Sequence, residues 1–188
     1  MTNFLYLLTA FVSLVTVGLA AQSEQEAAAE LRSLVSKETT SFLNTINSTD
    51  GTPFSLVHYH VSTDRCEGIE KTGEPLFVIT SNSPQIRSIQ SNGQVSFSVN
   101  DNSVQYKMNG VRATFYGALE EQKDTDELRK CFLNVHPDAQ AWLPGANPRM
   151  PTRFYKFKIS GIFSVAGAAT TGWRGRVSPS LYASAGAS

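Results

Sequence analysis

The feature that most constrains the fold is a long alternation of apolar and polar residues near the C-terminal end, RFYKFKISGIFSV at residues 153–165. This period-two pattern predicts a long strand that buries one side, with Gly161 at a bend of a curved sheet. A single strand cannot bury such a face alone, so earlier strands must supply the other walls of the core. The predicted buried face comprises Tyr155, Phe157, Ile159, Gly161, Phe163 and Val165, and the solvated face comprises Lys156, Lys158, Ser160 and Ser164.

The N-terminal segment has the composition of a secretory signal peptide. An apolar run follows Phe4 and ends at Gly18 and Ala20, small residues at the two positions that a signal peptidase recognises. No Lys or Arg precedes the run, and the alternatives are an uncleaved anchor or a buried helix. We expect a signal peptide at residues 1–20, one folded domain at 21–168, and a Gly/Ala/Ser-rich tail at 169–188 without a further buried element.

Charge and cysteine content exclude some classes of function. The chain has 16 basic and 16 acidic residues without a basic block, which argues against a nucleic-acid partner. Neither Cys66 nor Cys131 has a CxxC partner, so zinc and thioredoxin-like sites are disfavoured. In an oxidising compartment the two cysteines form either one disulfide or two buried free thiols.

Asn47-Ser48-Thr49 is an N-glycosylation sequon in a turn-rich stretch. The sequon is relevant because the predicted signal peptide would send the chain through a glycosylating pathway.

The remaining periodicities predict a chain dominated by strands. Ser23 and Glu26 form a capping box that opens a helix, and further helices begin near Ser83 and at Asp124 or Thr125. Asn109-Gly110 predicts a type I′ hairpin turn. Because many short strands leave exposed edges, we expect a mainly β, mostly antiparallel barrel. The predicted strands are residues 54–61, 76–80, 95–99, 104–108 and 111–119, in addition to the C-terminal strand.

Few residues have a pattern that would carry chemistry. His58 and His60 share a strand face, so zinc or copper with Asp64, Cys66 or Glu67 is one hypothesis. We favour the other, that they are two polar residues on the wet side of a strand. Serine-hydrolase, zincin, P-loop and dinucleotide-binding motifs are missing from the sequence. We therefore predict no catalytic residue and no metal site. His136 is interpreted as a helix cap and Trp142 as a core or interface aromatic, with ligand stacking as its alternative.

Three stretches, taken in order, resemble a known family. They are TSNSPQIRSIQSNGQVSFSV at residues 80–99, ELRKCFLNVHPDAQAW at 127–142 with His136, Pro137 and Trp142, and RFYKFKISGIFSVAG at 153–167. The order resembles the split-barrel family of pyridoxamine 5′-phosphate oxidase-like proteins, and more narrowly its secreted CREG-type branch. The tail from Ser178 to Tyr182 is similar to the ending of that branch. The resemblance implies a six-stranded split β-barrel that forms a homodimer, located outside the cell or in a vacuole or lysosome.

The resemblance also defines a candidate cofactor site. Flavin-binding relatives carry Ser-Arg-Lys at a strand-to-helix turn, where the basic groups hold the FMN phosphate. This chain has Ser83, Pro84 and Gln85 there, with Arg87 as the nearest cation. We therefore expect a degenerate turn, no tightly held cofactor, and a non-catalytic protein that binds another protein or a small ligand. The alternative is an FMN-dependent oxidoreductase that holds FMN through other residues, such as Arg87 and Arg112.

Overall fold

The computed structural model describes residues 21–166 and 172–186, and the predicted signal peptide at residues 1–20 lies outside them. Within these ranges no helix has the length and apolar composition needed to cross a membrane. The helices are α1 (Glu24–Lys37), α2 (Pro84–Asn92), α3 (Asp126–Val135) and α4 (Pro179–Ser184). The strands are β1 (Thr40–Ile46), β2 (Pro53–Ser62), β3 (Pro75–Thr80), β4 (Val95–Asn100), β5 (Arg112–Gln122), β6 (Thr152–Val165) and β7 (Arg174–Val177).

Six of the strands close into a barrel. Their order is β3-β2-β1-β4-β5-β6, and β6 pairs back onto β3 from Lys156 opposite Leu76 to Thr152 opposite Thr80. The short β7 adds to the other half of β6. All pairings are antiparallel. The predicted mainly β, six-stranded antiparallel barrel is therefore confirmed, and β6 spans it because it contacts β3, β5 and β7.

The strand predicted at residues 153–165 is present as β6, but its two faces exchange partway along. Tyr116 pairs with Gly161 and the next residue, Gly117, pairs with Ile159, so Ser160 is the extra residue of a β-bulge. A bulge shifts the side-chain alternation by one residue. Beyond it Ile162 is 1% exposed and Phe163 is 43% exposed. The predicted burial of Phe163 is therefore wrong, as is the predicted solvation of Ser164, which is buried.

The barrel core is built from aromatic side chains on neighbouring strands. Phe97 stacks on Phe115 with ring centroids 4.5 Å apart, and Phe157 meets the Phe97 ring edge-on at 4.9 Å. Helix α1 contributes Leu31 and Val35 to this core. Its capping box is confirmed, since the Ser23 hydroxyl accepts from the Glu26 N–H and the Glu26 carboxylate accepts from the Ser23 N–H.

Two strand predictions before β5 need correction. Strand β1 precedes the predicted first strand, and its alternation was hidden because it buries Ser41 and Thr45 while exposing Phe42. The predicted hairpin at Asn109-Gly110 is wrong, since the partner of β5 is β4 and residues 101–111 form an irregular connection. A type I′ turn requires positive φ at both central residues, and neither Asn109 nor Gly110 has it.

The C-terminal tail carries more structure than its small residues predict. Strand β7 pairs with β6, and α4 follows it with Tyr182 buried in the core. The Tyr182 hydroxyl donates to the Gly73 carbonyl at 2.8 Å. The prediction that the tail lacks a further buried element is therefore wrong. Three side chains of this segment pack against the core: Trp173, Val177 and Tyr182. They are too widely spaced in the sequence to show a helix or strand periodicity.

A second cluster of buried residues lies outside the barrel beneath α3. Phe132 and Leu128 of α3 pack there against Phe154 of β6. Cys66, which follows β2, forms a disulfide with Cys131 of α3, and the two Cα atoms are 5.0 Å apart. Of the two alternatives left by the sequence, a bridge or two free thiols, the structure contains the bridge.

Candidate functional site

A row of cross-strand neighbours crosses the outward surface of the barrel, with exposed apolar side chains at its two ends and two hydroxyl residues between them. Val57 lies opposite Phe42, Phe42 opposite Ser98, Ser98 opposite Thr114, and Thr114 opposite Phe163. Residues paired across strands point to the same side of a sheet. Phe42 is 46% exposed and Val57 is 56% exposed. We call this surface of β1, β2, β4, β5 and the C-terminal half of β6 the outer face.

The polar side chains of the outer face bond to one another. The Ser55 hydroxyl donates to Asn44 Oδ1 at 2.7 Å, and Asn44 Nδ2 donates to the hydroxyls of Ser98 at 3.0 Å and Ser96 at 3.3 Å. Ser98 and Thr114 hydroxyls lie 3.1 Å apart. The centre of the outer face is therefore neutral, and its polar groups do not depend on water for partners.

An open groove of about 640 Å³ runs along this face. It extends from the end of the β1–β2 hairpin, past the turn between α2 and β4, to the bulge at Ser160. Gly117 lies in its floor, where a Cβ atom would clash with the Lys158 carbonyl oxygen. Apart from the phenol of Tyr116, no ionisable side chain lines it. The lining is Asn44, Thr45, Ile46, Pro53, Phe54, Ser55, Gly93, Gln94, Val95, Ser96, Tyr116, Gly117 and Ser160.

A second depression of about 340 Å³ lies further along the same face. Arg112 is at its edge and donates through Nη1 to the Met108 carbonyl at 3.0 Å. The depression ends beside Phe163 and Val165 of β6. The outer face therefore has both ridges and hollows, which a flat solvated sheet would not present.

The degenerate cofactor turn begins α2, where its side chains already have partners. The Ser83 hydroxyl caps the helix by accepting from the Ile86 N–H at 3.2 Å, and Pro84 is the first helical residue. Gln85 is 1% exposed; its Nε2 donates to the Leu43 carbonyl at 2.8 Å and its Oε1 accepts from His58 Nε2 at 2.7 Å. Arg87 is exposed and donates to the Asn82 carbonyl.

This turn does not fit a flavin phosphate. A buried phosphate needs paired cations or converging N–H donors, but Pro84 has no N–H and Gln85 is turned into the protein. Arg87 and Arg112 each donate to a different backbone carbonyl, of Asn82 and Met108. That this turn is a degenerate cofactor site stays a prediction.

The two histidines of β2 do not form a metal site. His58 is engaged by Gln85, and His60 lies in the core with Nε2 3.2 Å from the Val35 carbonyl. Burial lowers the pKa of His60 to about 4 and also lowers the pKa of His58. Cys66 is in the disulfide and Asp64 pairs with Arg32. Among the described residues no three His, Cys, Asp or Glu side chains are placed to hold a metal ion.

His136 and Trp142 belong to the cluster beneath α3. The His136 ring stacks on Tyr59 at 4.1 Å, and its Nε2 lies 3.1 Å from the His60 carbonyl. His136 is the C-cap residue of α3, as predicted, and the group that caps is its backbone N–H, which donates to the Phe132 carbonyl. Trp142 is half-buried with its ring 6.0 Å from Phe132, which agrees with the core interpretation.

Sequence reasoning missed most of the groove. Asn44 and Phe42 were overlooked because β1 was, whereas Ser96 lies on the predicted polar side of β4 and Tyr116 within a predicted strand. One sequence signal could have indicated the site. It is the alternation of Ser96 and Ser98 with apolar residues in β4, the strand that pairs with β1 at Asn44. Only the fold brings these residues together, because three strands intervene in the chain between β1 and β5.

Comparison with known proteins identifies the architecture. The chain matches the family described as "CREG, beta-barrel" over residues 22–184, which includes β7 and α4. No curated protein matches it significantly in sequence.

Solved structures share the fold at low sequence identity. A heme-binding protein from Mycobacterium smegmatis has a TM-score of 0.66 at 15% identity, covering 84% of this chain and 60% of that one. A FAD-binding protein from Mesorhizobium loti has a TM-score of 0.54 at 17% identity, covering 73% and 90%. A putative pyridoxamine 5′-phosphate oxidase from Listeria innocua has a TM-score of 0.53 at 9% identity, covering 76% and 100%. The chain thus spans about 60% of the mycobacterial protein. At these identities the likeness concerns the fold alone.

Proposed function

Because the chain belongs to the CREG β-barrel family, we propose that it is a non-catalytic protein of the secretory pathway that pairs with a second copy of itself and binds a protein or small ligand. It acts outside the cell or in a vacuole or lysosome. The observation that carries the proposal is the outer face, a neutral sheet surface that exposes Phe42 and Val57 at one end of the row and Phe163 at the other.

A second copy suits the outer face because that face carries both ridges and hollows. In a two-fold dimer the same patch meets itself, so ridges must find hollows on an identical surface. Phe42 and Phe163 are ridges, and the depression beside Phe163 is a hollow. Exposed large apolar side chains such as Phe42, Val57 and Phe163 on one face favour an interaction surface. The bonded polar groups between them add no cost of desolvating a charge.

The groove supports binding rather than catalysis. General acid–base and nucleophilic catalysis require a titratable or nucleophilic group within hydrogen-bond reach of the substrate. Among the described residues, the groove lining has serine and threonine hydroxyls and the Tyr116 phenol, but no carboxylate, imidazole, amine or thiol that would activate them. Its apolar floor and its hydroxyl and amide groups match an uncharged ligand or an extended polypeptide segment.

Light scattering on variants tests the proposal. The mature chain should have twice the single-chain mass at micromolar concentration, and Phe42→Asp should shift it to the single-chain mass by burying an unpaired charge. Tyr106→Asp is the matched control, since Tyr106 is 66% exposed on the connection between β4 and β5. A wild-type chain of single mass would overturn the dimer. If the Phe42→Asp variant is still a dimer, the interface lies elsewhere than on the outer face.

The alternative function is an FMN-dependent oxidoreductase. It is favoured by the fold shared with a FAD-binding protein and a putative pyridoxamine 5′-phosphate oxidase. The neutral groove beside Tyr116 could accept a planar ring, but the α2 turn does not fit the phosphate. Absorbance near the flavin bands in protein purified from its own host would promote this alternative, whereas a colourless protein supports the binding function.

Heme binding is not carried over from the mycobacterial neighbour. Heme iron in proteins usually needs an axial ligand such as His. The chain's three histidines, His58, His60 and His136, all have partners elsewhere, and none lines the groove.

A further inference from the structure

The sequon lies in the hairpin turn that closes one end of the groove. The Asn47 N–H donates to the Thr52 carbonyl at 2.9 Å, and the Gly51 N–H donates to the Asn47 carbonyl at 2.9 Å. The residues on either side of this turn, Ile46 and Pro53, pair with each other and line the groove. Whatever is attached to Asn47 therefore starts at the groove's hairpin end.

The turn holds the Asn47 side chain with its amide nitrogen available. Asn47 Oδ1 accepts from the Thr49 N–H at 2.9 Å, whereas Nδ2 makes no hydrogen bond to the described part of the chain. This local Asx turn leaves the NH₂ group of the side chain facing away from the backbone contact. The nitrogen that a glycosyl group would occupy is thus the free one.

Helix α2 fixes the turn relative to the groove. The Ser48 N–H donates to the Ser88 hydroxyl at 3.2 Å, and Asn92 Nδ2 donates to the Ile46 carbonyl at 2.8 Å. Both contacts come from α2, whose last residue, Asn92, precedes the groove residue Gly93. The backbone on either side of Asn47 is therefore held next to the groove.

We propose that Asn47 carries an N-linked glycan and that this glycan screens the hairpin end of the groove, leaving the Ser160 end as the entrance. The inference rests on the secretory location in the proposed function. The donor is an oligosaccharide linked to a lipid pyrophosphate. A bond forms between Asn47 Nδ2 and the anomeric carbon, the bond from that carbon to the pyrophosphate oxygen breaks, Nδ2 loses one proton, and the lipid pyrophosphate leaves.

A glycan on Asn47 would limit what the groove can bind. A glycan at one end keeps a second protein from lying across the hairpin, while a ligand can still enter between Tyr116 and Ser160. It also directs protein contacts toward Phe42 and Phe163, away from the hairpin. The glycan and the apolar row thus divide the outer face into a screened end and a contact end.

Modification is tested on the full chain expressed in a eukaryotic secretory host. Intact mass should fall on treatment with an N-glycan amidase, and Thr49→Ala should abolish the fall. Thr49→Ser is the matched control, because it keeps the sequon and should keep the mass change. Unmodified protein recovered from the medium with its leader removed would overturn this inference and leave secretion standing. Retention of Met1 in protein that never enters the pathway would overturn the proposed function as well.

Screening is tested by thiol labelling at the two ends of the groove. Pro53→Cys places a thiol at the hairpin end and Ser160→Cys places one at the far end. Removing the glycan should raise the rate of labelling by a bulky maleimide several-fold for Pro53→Cys and leave the rate for Ser160→Cys unchanged. Small-reagent labelling of both variants controls for folding. Equal rates before and after deglycosylation at Pro53→Cys would overturn the screening.

Discussion

The guanidinium of Arg32 and the carboxylate of Asp64 form a two-point ion pair inside the protein. Nε to Oδ2 is 2.6 Å and Nη2 to Oδ1 is 2.8 Å, and the side chains are only 2% and 4% exposed. The remaining donors of Arg32 reach backbone carbonyls of Lys71, Tyr182 and Ala183. One side chain thus joins α1, the segment after β2, the approach to β3 and the C-terminal helix.

Removing Arg32 should destabilise the protein strongly. Arg32→Ala leaves the Asp64 carboxylate buried without its partner, and breaking a buried pair this way costs about 3–5 kcal/mol. Lys130→Ala is the control, because the Lys130–Glu67 pair is 66% and 85% exposed and should matter little. Urea unfolding followed by tryptophan fluorescence measures both. Equal free energies of unfolding for the two variants would contradict a structural role for the Arg32 pair.

Loss of the disulfide should also lower stability. Cys66 and Cys131 are 65 residues apart, and opening a loop of that length removes about 4 kcal/mol in the chain-entropy description. The double variant Cys66→Ala with Cys131→Ala should therefore unfold at lower urea and ignore added reductant. The wild type should shift toward it when reduced. Two thiols titrated in denatured, unreduced wild-type protein would contradict the bridge.

Stability should depend on the titration of His60. Burial lowers its pKa to about 4 from 6.5 in the unfolded chain, so between these pH values the unfolded state binds a proton that the folded state does not. The free energy of unfolding that this pKa difference contributes is fully present above pH 6.5. It is lost, by about 3 kcal/mol, as the pH falls toward 4. Burial lowers the pKa of His58 and His136 in the same direction.

Unfolding of His60→Leu at neutral and acidic pH isolates this contribution. The variant should retain only the part of the acid dependence that comes from other groups, so its free energy of unfolding should fall less between pH 7 and pH 4. NMR titration of the His60 imidazole in the wild type gives its pKa directly. A His60 pKa near 6.5 or an unchanged acid dependence in the variant would contradict the prediction.

The sequence predicted the barrel wherever a strand alternates apolar and polar residues in the usual sense. Phe97 in β4 and the first half of β6 follow this rule. It failed at β1, which exposes Phe42 and buries Ser41, because there the apolar residue lies on the outward side of the strand and the polar residue on the inward side. It failed again beyond Ser160, since a bulge depends on the pairing with β5 and leaves no mark on the composition.

Polar contacts between residues distant in sequence could not be predicted from the sequence either. Arg32 follows Leu31 in an amphipathic helix and looks like a solvated cation until Asp64 and the C-terminal helix meet it. Gln85 looks like a simple loss of charge at the cofactor turn, whereas the structure gives it two buried hydrogen bonds. Such roles depend on partners distant in sequence, which periodicity does not identify.

Restoring charge at the α2 turn should fail to create an FMN site. Gln85→Lys would bury an ammonium group and remove the partners of the Leu43 carbonyl and the His58 ring, each costing about 1–3 kcal/mol. Pro84→Arg alone, at an exposed position, should leave stability nearly unchanged. We therefore expect the double variant Pro84→Arg with Gln85→Lys to be less stable than Pro84→Arg.

Fluorescence titration then separates two explanations for the degenerate turn. If only the basic side chains were lost, the double variant should quench FMN fluorescence at micromolar concentration, since two charge-assisted bonds are worth roughly 3–6 kcal/mol together. Because Gln85 now supports β1 and β2 from inside, we expect no such quenching from the double variant, from Pro84→Arg or from the wild type. Tight FMN binding by the double variant with unchanged stability would show that Gln85 is dispensable and that the cleft has kept the rest of a flavin site.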